Sequence, residues 1–170
     1  MTQVYLGVGS NLQRCENIQR GIELLLAAGE MPVCSPVYEC PCSGAPGAAF
    51  YNLVISLQTQ RSVEAMVALC KEIECLCLRQ RPASVPLSLS LDIDLLLYGD
   101  LVISQPVRLP RPDIIQHSFI LKPLADLAGD VLHPTLARSF AELWAELSVA
   151  RSPMRVVAWQ PMIDLKETHG

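Results

Sequence analysis

The clearest pattern in the chain is a period-two alternation over residues 87–99, Leu-Ser-Leu-Ser-Leu-Asp-Ile-Asp-Leu-Leu-Leu-Tyr-Gly. Leu87, Leu89, Leu91, Ile93 and Leu95 fall on one side, and Ser88, Ser90, Asp92 and Asp94 on the other. That spacing predicts a β-strand with one buried face and one turned to solvent or a cleft. Residues 3–9 alternate in the same way through Val4, Leu6 and Val8. They end at Gly9-Ser10-Asn11, where Ser10 or Asn11 is placed to cap a helix. Between 14 and 29, Ile18, Ile22, Leu25 and Leu26 form one helical stripe with Gly29 as its stop. A short strand over 33–38 leads into a loop rich in proline and glycine, and residues 50–58 alternate again. There Phe50, Asn52, Val54 and Ser56 face one way, and Tyr51, Leu53, Ile55 and Leu57 the other. Ser62 opens a second helix with the stripe Met66, Cys70, Ile73 and Cys77, which Pro82 ends.

The predicted order is strand, helix, strand, strand, helix, strand. Such an order builds an α+β fold, a ferredoxin-like βαββαβ core whose antiparallel sheet carries both helices on one face. Beyond it, residues 114–127 read as a short irregular helix, and residues 139–147 as a better one through Phe140, Leu143, Trp144 and Leu147. These additional C-terminal helices are placed to cover part of the polar sheet face. Residues 1–150 are expected to form a single domain, and 151–170 a C-terminal extension with one strand-like piece at 155–159.

Composition narrows the function classes. With 13 basic and 17 acidic residues the net charge is −4, and no Lys/Arg run suits nucleic acid. Hydrophobic residues make up 51% of the chain, yet no apolar run reaches the ~18–20 residues of a membrane span. The start of the chain enters a strand pattern at once, without a secretory signal, so a cytoplasmic location is expected. The seven cysteines are an odd number, and Cys40-x-Cys42 and Cys75-x-Cys77 lack C-x-x-C spacing. Buried free thiols at Cys70 and Cys77 are the better reading.

Candidate chemistry centres on the two acids. Alternate positions on one strand face lie roughly 6.5–7 Å apart, so Asp92 and Asp94 present two carboxylates side by side. They suit a divalent cation, although the pair alone reads more readily as a solvated strand face that carries two acids by chance.

An ordered set of residues then supplies a resemblance. Gly9-Ser10-Asn11, Tyr38, Pro41, Phe50-Tyr51-Asn52 and Glu74 are followed by Leu91-Asp92-Ile93-Asp94-Leu95, Leu109-Pro110, Phe119-Ile120-Leu121 and Pro123-Leu124. Over roughly residues 2–135 the chain resembles 6-hydroxymethyl-7,8-dihydropterin pyrophosphokinase, the folate-pathway family that moves a diphosphate from ATP onto a pterin alcohol. The resemblance implies that Asp92 and Asp94 hold two magnesium ions bridging the ATP phosphates. It implies that Asn52 bonds the pterin edge, that Phe50 and Phe119 flank the heterocycle, and that Pro41 borders it. Glu74 would support the site as a hydrogen-bond acceptor, although by itself it also reads as a helix-surface glutamate. Arg79 and Arg81 stand where the family has arginines on a loop that closes over the nucleotide. Arg111 and His117 fall among the nucleotide contacts. The implied partners are ATP and a small pterin.

Departures from the family pattern accompany it. The run before the aspartates, Pro86-Leu87-Ser88-Leu89-Ser90, puts Leu89 where the family has an arginine and Pro86 where it has a tryptophan. Arg111 and His117 stand where the family has histidine and arginine, the two types exchanged. Loss of a guanidinium near a migrating diphosphate matters, because phosphoryl transfer rests on positioning and charge stabilisation. Three readings therefore stand at this point: the pyrophosphokinase, a relative that binds pterin or nucleotide without efficient turnover, and a plain structural domain.

Overall fold

The first alternating run forms β1, Thr2–Ser10, and its place between two neighbours organises the sheet. The structure, a computed structural model, describes residues 1–41, 48–78, 91–146 and 153–164. After β1 come α1 (Arg14–Leu26), β2 (Glu30–Cys34), β3 (Tyr38–Cys40), β4 (Phe50–Thr59), α2 (Val63–Leu78) and β5 (Asp92–Tyr98). The chain continues through α3 (Asp113–Gln116), α4 (Ser118–Ala128), α5 (Phe140–Glu146) and β6 (Arg155–Val156). The strands lie in the order β5-β1-β4-β3-β6, with β2 also paired to β4, and every pairing is antiparallel. The architecture is the α+β, ferredoxin-like one that the element order implies.

Alternation decides which face is covered by what. Val4, Leu6, Val8, Leu53, Ile55, Leu57, Ile93 and Leu95 point to one side, where they meet Ile18, Ile22 and Leu25 of α1 and Met66, Cys70, Ile73 and Cys77 of α2. On the opposite side a smaller cluster joins Val54, Leu96 and Leu97 to Ile114, Leu121, Leu124, Phe140 and Leu143 of the last three helices. The C-terminal helices thus cover part of the second face and leave the rest as a cavity.

Several boundaries differ from the sequence expectation. The single strand expected over 33–38 is two, because Ser35-Pro36 interrupts it, and Ser35 Oγ instead accepts from Val54 N at 2.9 Å. Neither Ser10 nor Asn11 caps α1: Gln13, with φ 41°, precedes the helix and makes no side-chain cap bond. The helix stops at Leu26, before Gly29. Gly29 serves close approach, since a Cβ there would lie 2.4 Å from Leu57 Cδ1. Residues 113–128 form two helices, with Pro123 inside the second. Ser62 caps α2, accepting from Ala65 N at 3.2 Å. Ser139 and Glu142 form a capping box at α5, with bonds of 3.1 and 2.9 Å.

Strict alternation also fails at one place in β5. Leu6 pairs with Leu95 but Tyr5 with Leu97, so Leu96 is an extra, bulged residue. The bulge lets Leu95 pack toward α1 and α2 while Leu96 and Leu97 both join the opposite cluster. The expected strand positions 87–90 lie outside the described residues.

The strand-like piece near the C-terminus does join the sheet. Tyr38 pairs with Val156 and Glu39 with Arg155, Val157 N donates to Val37 O at 3.0 Å, and Val157 is buried. Cys70 and Cys77 are buried free thiols, and Cys75 is exposed. Among the described residues no helix is long and apolar enough to cross a membrane.

Candidate active site

On the sheet face turned away from α1 and α2, residues of β1, β3, β4, β5 and α4 enclose a cavity of about 310 Å³. Its floor is glycine. Gly7 and Gly9 stand opposite Asp94 and Asp92 in the β1–β5 register, where side chains would fill the space above the sheet. A Cβ on Gly9 would come within 2.8 Å of Asn52 Oδ1. This Gly-x-Gly at strand spacing, facing two acids, is a sequence signal for the cavity that the alternation of apolar residues alone does not reveal.

Register brings the other walls together. Gly9 pairs with Asn52, Asn52 with Tyr38, and Phe50 with Cys40, so Phe50, Asn52 and Cys40 point into the cavity from adjacent strands. Pro41 follows Cys40, and Phe119 enters from the first turn of α4. Two rings, one amide and two carboxylates thus share one concave site (Phe50, Phe119, Asn52, Asp92 and Asp94). The position of α4 is fixed from β3: Tyr38 Oη donates to Asp126 Oδ2, and Lys122 Nζ bonds Asp126 Oδ1 at 2.7 Å. Burial first, and then the Asp126 carboxylate, push the Tyr38 hydroxyl well above its ordinary range.

The carboxylates carry charge that their basic neighbours offset only in part. Burial, then the charge and hydrogen bond of Glu74, raise the Asp92 carboxyl above its usual range. Burial and then Asp92 raise Asp94, while Arg111 opposes the rise. Glu74, in the penultimate turn of α2, accepts from Ile93 N at 2.8 Å and so satisfies an amide of the sheet's edge strand. It stands beneath the cavity and does not line it. Among the described residues no group of three or more His, Cys, Asp or Glu side chains makes a metal cage. Two hard carboxylates in a partly buried, negatively charged cleft still fit magnesium, which usually takes one or two protein carboxylates and completes its shell with water and phosphate oxygens.

Arg111 links this cavity to a second one. Its Nη2 bonds Asp94 Oδ1 at 3.0 Å and its Nε bonds Asp113 Oδ2 at 3.1 Å. Arg111 also lines a cleft of about 580 Å³ with Ile103, Arg108, Ile115 and His133. His117 Nε2 lies 3.8 Å from Asp113 Oδ1, and its ring stacks on Phe119 with centroids 4.9 Å apart. The structure therefore places Arg111 and His117 beside the site, outside the lining of the first cavity. Neither Arg108 nor the second cleft was foreseen, because a cleft walled by one irregular loop leaves no periodic signal. Arg79, Arg81, Pro86 and Leu89 lie outside the described residues.

Residues 5–129 match the family described as 7,8-dihydro-6-hydroxymethylpterin-pyrophosphokinase. The chain belongs to this family. It is 31% identical to the Aquifex aeolicus 2-amino-4-hydroxy-6-hydroxymethyldihydropteridine pyrophosphokinase over 150 residues, which cover 86% of this chain and 92% of that protein. It is 32% identical to the Pneumocystis carinii folic acid synthesis protein fol1, covering 85% of this chain and only 20% of that longer protein. Among solved structures, the fold matches wild-type Plasmodium falciparum HPPK-DHPS with a TM-score of 0.68 at 13% identity, over 85% of this chain and 44% of that one. The family's fold is thus kept at low identity, and the chain spans under half of these larger proteins.

Proposed function

We propose that the chain transfers the terminal diphosphate of ATP to the hydroxymethyl oxygen of 6-hydroxymethyl-7,8-dihydropterin, releasing AMP. The observation that carries this reading is the convergence of Phe50, Asn52 and Phe119 with Asp92 and Asp94 in one cavity. The flat pterin lies between the two rings, where an aromatic wall gains area and stacking, and the Asn52 amide bonds its polar edge. Pro41 closes the rim of this pocket. Glu74 supports it by holding β5 at Ile93.

Asp92 and Asp94 hold magnesium, with two ions for a nucleotide whose phosphates cross from one cavity to the other. When bound, the metal neutralises the phosphate chain. The nucleotide occupies the second cleft, with Arg108 and Arg111 as its cations and His117 beside the transferred group. Arg79 and Arg81 add charge from outside the described residues. The hydroxymethyl oxygen attacks the β-phosphorus in line; the new O–P bond forms as the α–β bridging bond breaks, AMP carries off the bridging oxygen, and the alcohol proton passes to water. Positioning and electrostatics, with no strong general base, do most of the work.

A second reading is favoured by one arrangement. Arg111 is engaged with both Asp94 and Asp113, and Leu89 offers no guanidinium in compensation. On that reading the chain binds pterin or nucleotide and turns over poorly. AMP formation from magnesium-ATP, measured with and without 6-hydroxymethyl-7,8-dihydropterin, separates the two. Pterin-dependent AMP supports the transferase; tight pterin binding without AMP supports the binder; the absence of both would overturn both readings.

A further inference from the structure

Arg14 sits where helix physics disfavours it. It opens α1, and a cation at a helix N-terminus opposes the macrodipole. The residue before it, Gln13, has a left-handed backbone with no glycine to ease it. A locally unfavourable residue held in a strained entry turn calls for a compensating contact elsewhere.

Those contacts all lead to the pterin side of the cavity. Arg14 Nη1 donates to Ala49 O at 2.8 Å and to Glu39 Oε2 at 3.1 Å, and its guanidinium lies 3.8 Å from the centre of the Tyr51 ring. Glu39 and Tyr51 are cross-strand partners on the face opposite the cavity. Their neighbours Cys40 and Phe50, also partners, point into it. Residues 41–49 connect these two strands, so Arg14 grips the chain on both sides of that connection. Strand alternation converts a shift of Glu39 or Tyr51 on one face into a shift of Cys40, Pro41 and Phe50 on the other.

The C-terminal segment completes the grip. Arg155 bonds Glu39 Oε1 through Nη2 at 2.8 Å and through Nε at 2.9 Å. Trp159 stacks on Tyr51, with centroids 6.3 Å apart and planes inclined by 22°. Farther on, Met162 exchanges hydrogen bonds with the Gln19 side chain on α1, at 2.8 and 3.0 Å. The segment beyond α5 is therefore tied to β3, β4 and α1 at once.

We infer that Arg14, braced by Glu39, Arg155 and Trp159, is a positioning residue that holds Pro41 and Phe50 in place for the pterin. The inference rests on the pterin reading of the cavity. It makes the C-terminal segment part of the substrate site without touching substrate.

The test uses the full chain and calorimetric titration with 6-hydroxymethylpterin and, separately, with magnesium and α,β-methylene-ATP. Arg14→Ala should weaken pterin binding at least fivefold and change nucleotide affinity by less than twofold. Trp159→Ala should shift pterin binding in the same direction by a smaller factor. Arg14→Lys keeps the charge and one donor, and should recover part of the loss. Equal losses for both ligands, or a lowered unfolding temperature with pterin affinity unchanged, would overturn the inference. Hydrogen exchange over residues 48–54 separates the two levels of the argument. Faster exchange in Arg14→Ala, in a protein whose wild type binds no pterin, would refute the pterin reading and leave the clamp standing.

Discussion

Replacing Asp92 by Asn should make the protein more stable and destroy its activity. Asp92 and Asp94 share a strand face at roughly 6.5–7 Å, where two like charges at an effective dielectric of ~20 repel by about 2.4 kcal/mol. The Arg111 guanidinium, 3.0 Å from Asp94, offsets part of this, and partial solvent access screens more, leaving about 1 kcal/mol to be relieved. For a domain of this size that is a rise of about 2–4 °C in Tm. The sign follows from the protonation equilibrium. Burial and neighbouring acids raise both carboxyls above the ordinary value of 3.8, so their ionisation destabilises the fold as pH climbs from that value through the raised one. The advantage of Asn is therefore full at neutral pH and vanishes in acid, where the wild-type carboxyls are protonated. Thermal unfolding in EDTA at pH 7 measures it. Magnesium with α,β-methylene-ATP at a hundredfold excess over its Kd should then stabilise the wild type by about 2.7 kcal/mol, or about 5–10 °C. Asp92→Asn should lose most of that gain and show no magnesium-dependent AMP formation. A variant less stable than wild type in EDTA, or one as responsive to the metal–nucleotide pair, would refute the reasoning.

Asn52→Ala should weaken pterin binding by about 1–3 kcal/mol through the polar groups it leaves unpaired, with nucleotide affinity nearly unchanged by titration; equal losses would place Asn52 elsewhere. Gly9→Ala puts a Cβ 2.8 Å from Asn52 Oδ1, so it should lower pterin affinity several-fold in the same titration, and an unaltered Kd would show that the amide does not need its place. Arg111→Ala should reduce kcat more than it raises the pterin KM, as steady-state kinetics would show; a change confined to pterin KM would remove Arg111 from the phosphate side.

The sequence was legible where one physical rule dominated. Val4, Leu6 and Val8, and likewise Leu53, Ile55 and Leu57, alternate because a single sheet face is covered by two helices, and the pattern placed them correctly. The alternation that put Phe50 and Asn52 on one face and Leu53 on the other survives in the register with β3. It failed where two rules competed. Leu95, Leu96 and Leu97 break period two because β5 is buried on both faces there and carries a bulge, which no one-faced template anticipates. Ser35-Pro36 divided a run that apolar content alone had joined. The anchoring contacts were illegible for a different reason: Glu39 with Arg14, Glu39 with Arg155, and Tyr38 with Asp126 are separated by 25, 116 and 88 residues along the chain. Such pairs have no local period, and only the fold brings them together.

Charge around the carboxylate pair sets a competition of its own. A folded enzyme must hold two carboxylates close without the metal, and a nearby cation lowers that cost. Here the cation is Arg111, half-buried and bonded to Asp94 and Asp113 at once. If Asp94 holds the metal as proposed, a guanidinium bound to it competes with the metal, so each gain in metal-free stability is a loss in metal affinity. Were magnesium held by Asp92 and Asp94 as proposed, Arg111 would be released from Asp94 and free to bond a phosphate. Arg111 puts a permanent charge next to the carboxylate pair, and the His117 ring stacks on Phe119 at the cavity wall. Phosphate stabilisation would then depend on metal binding to release its cation, coupling the two events.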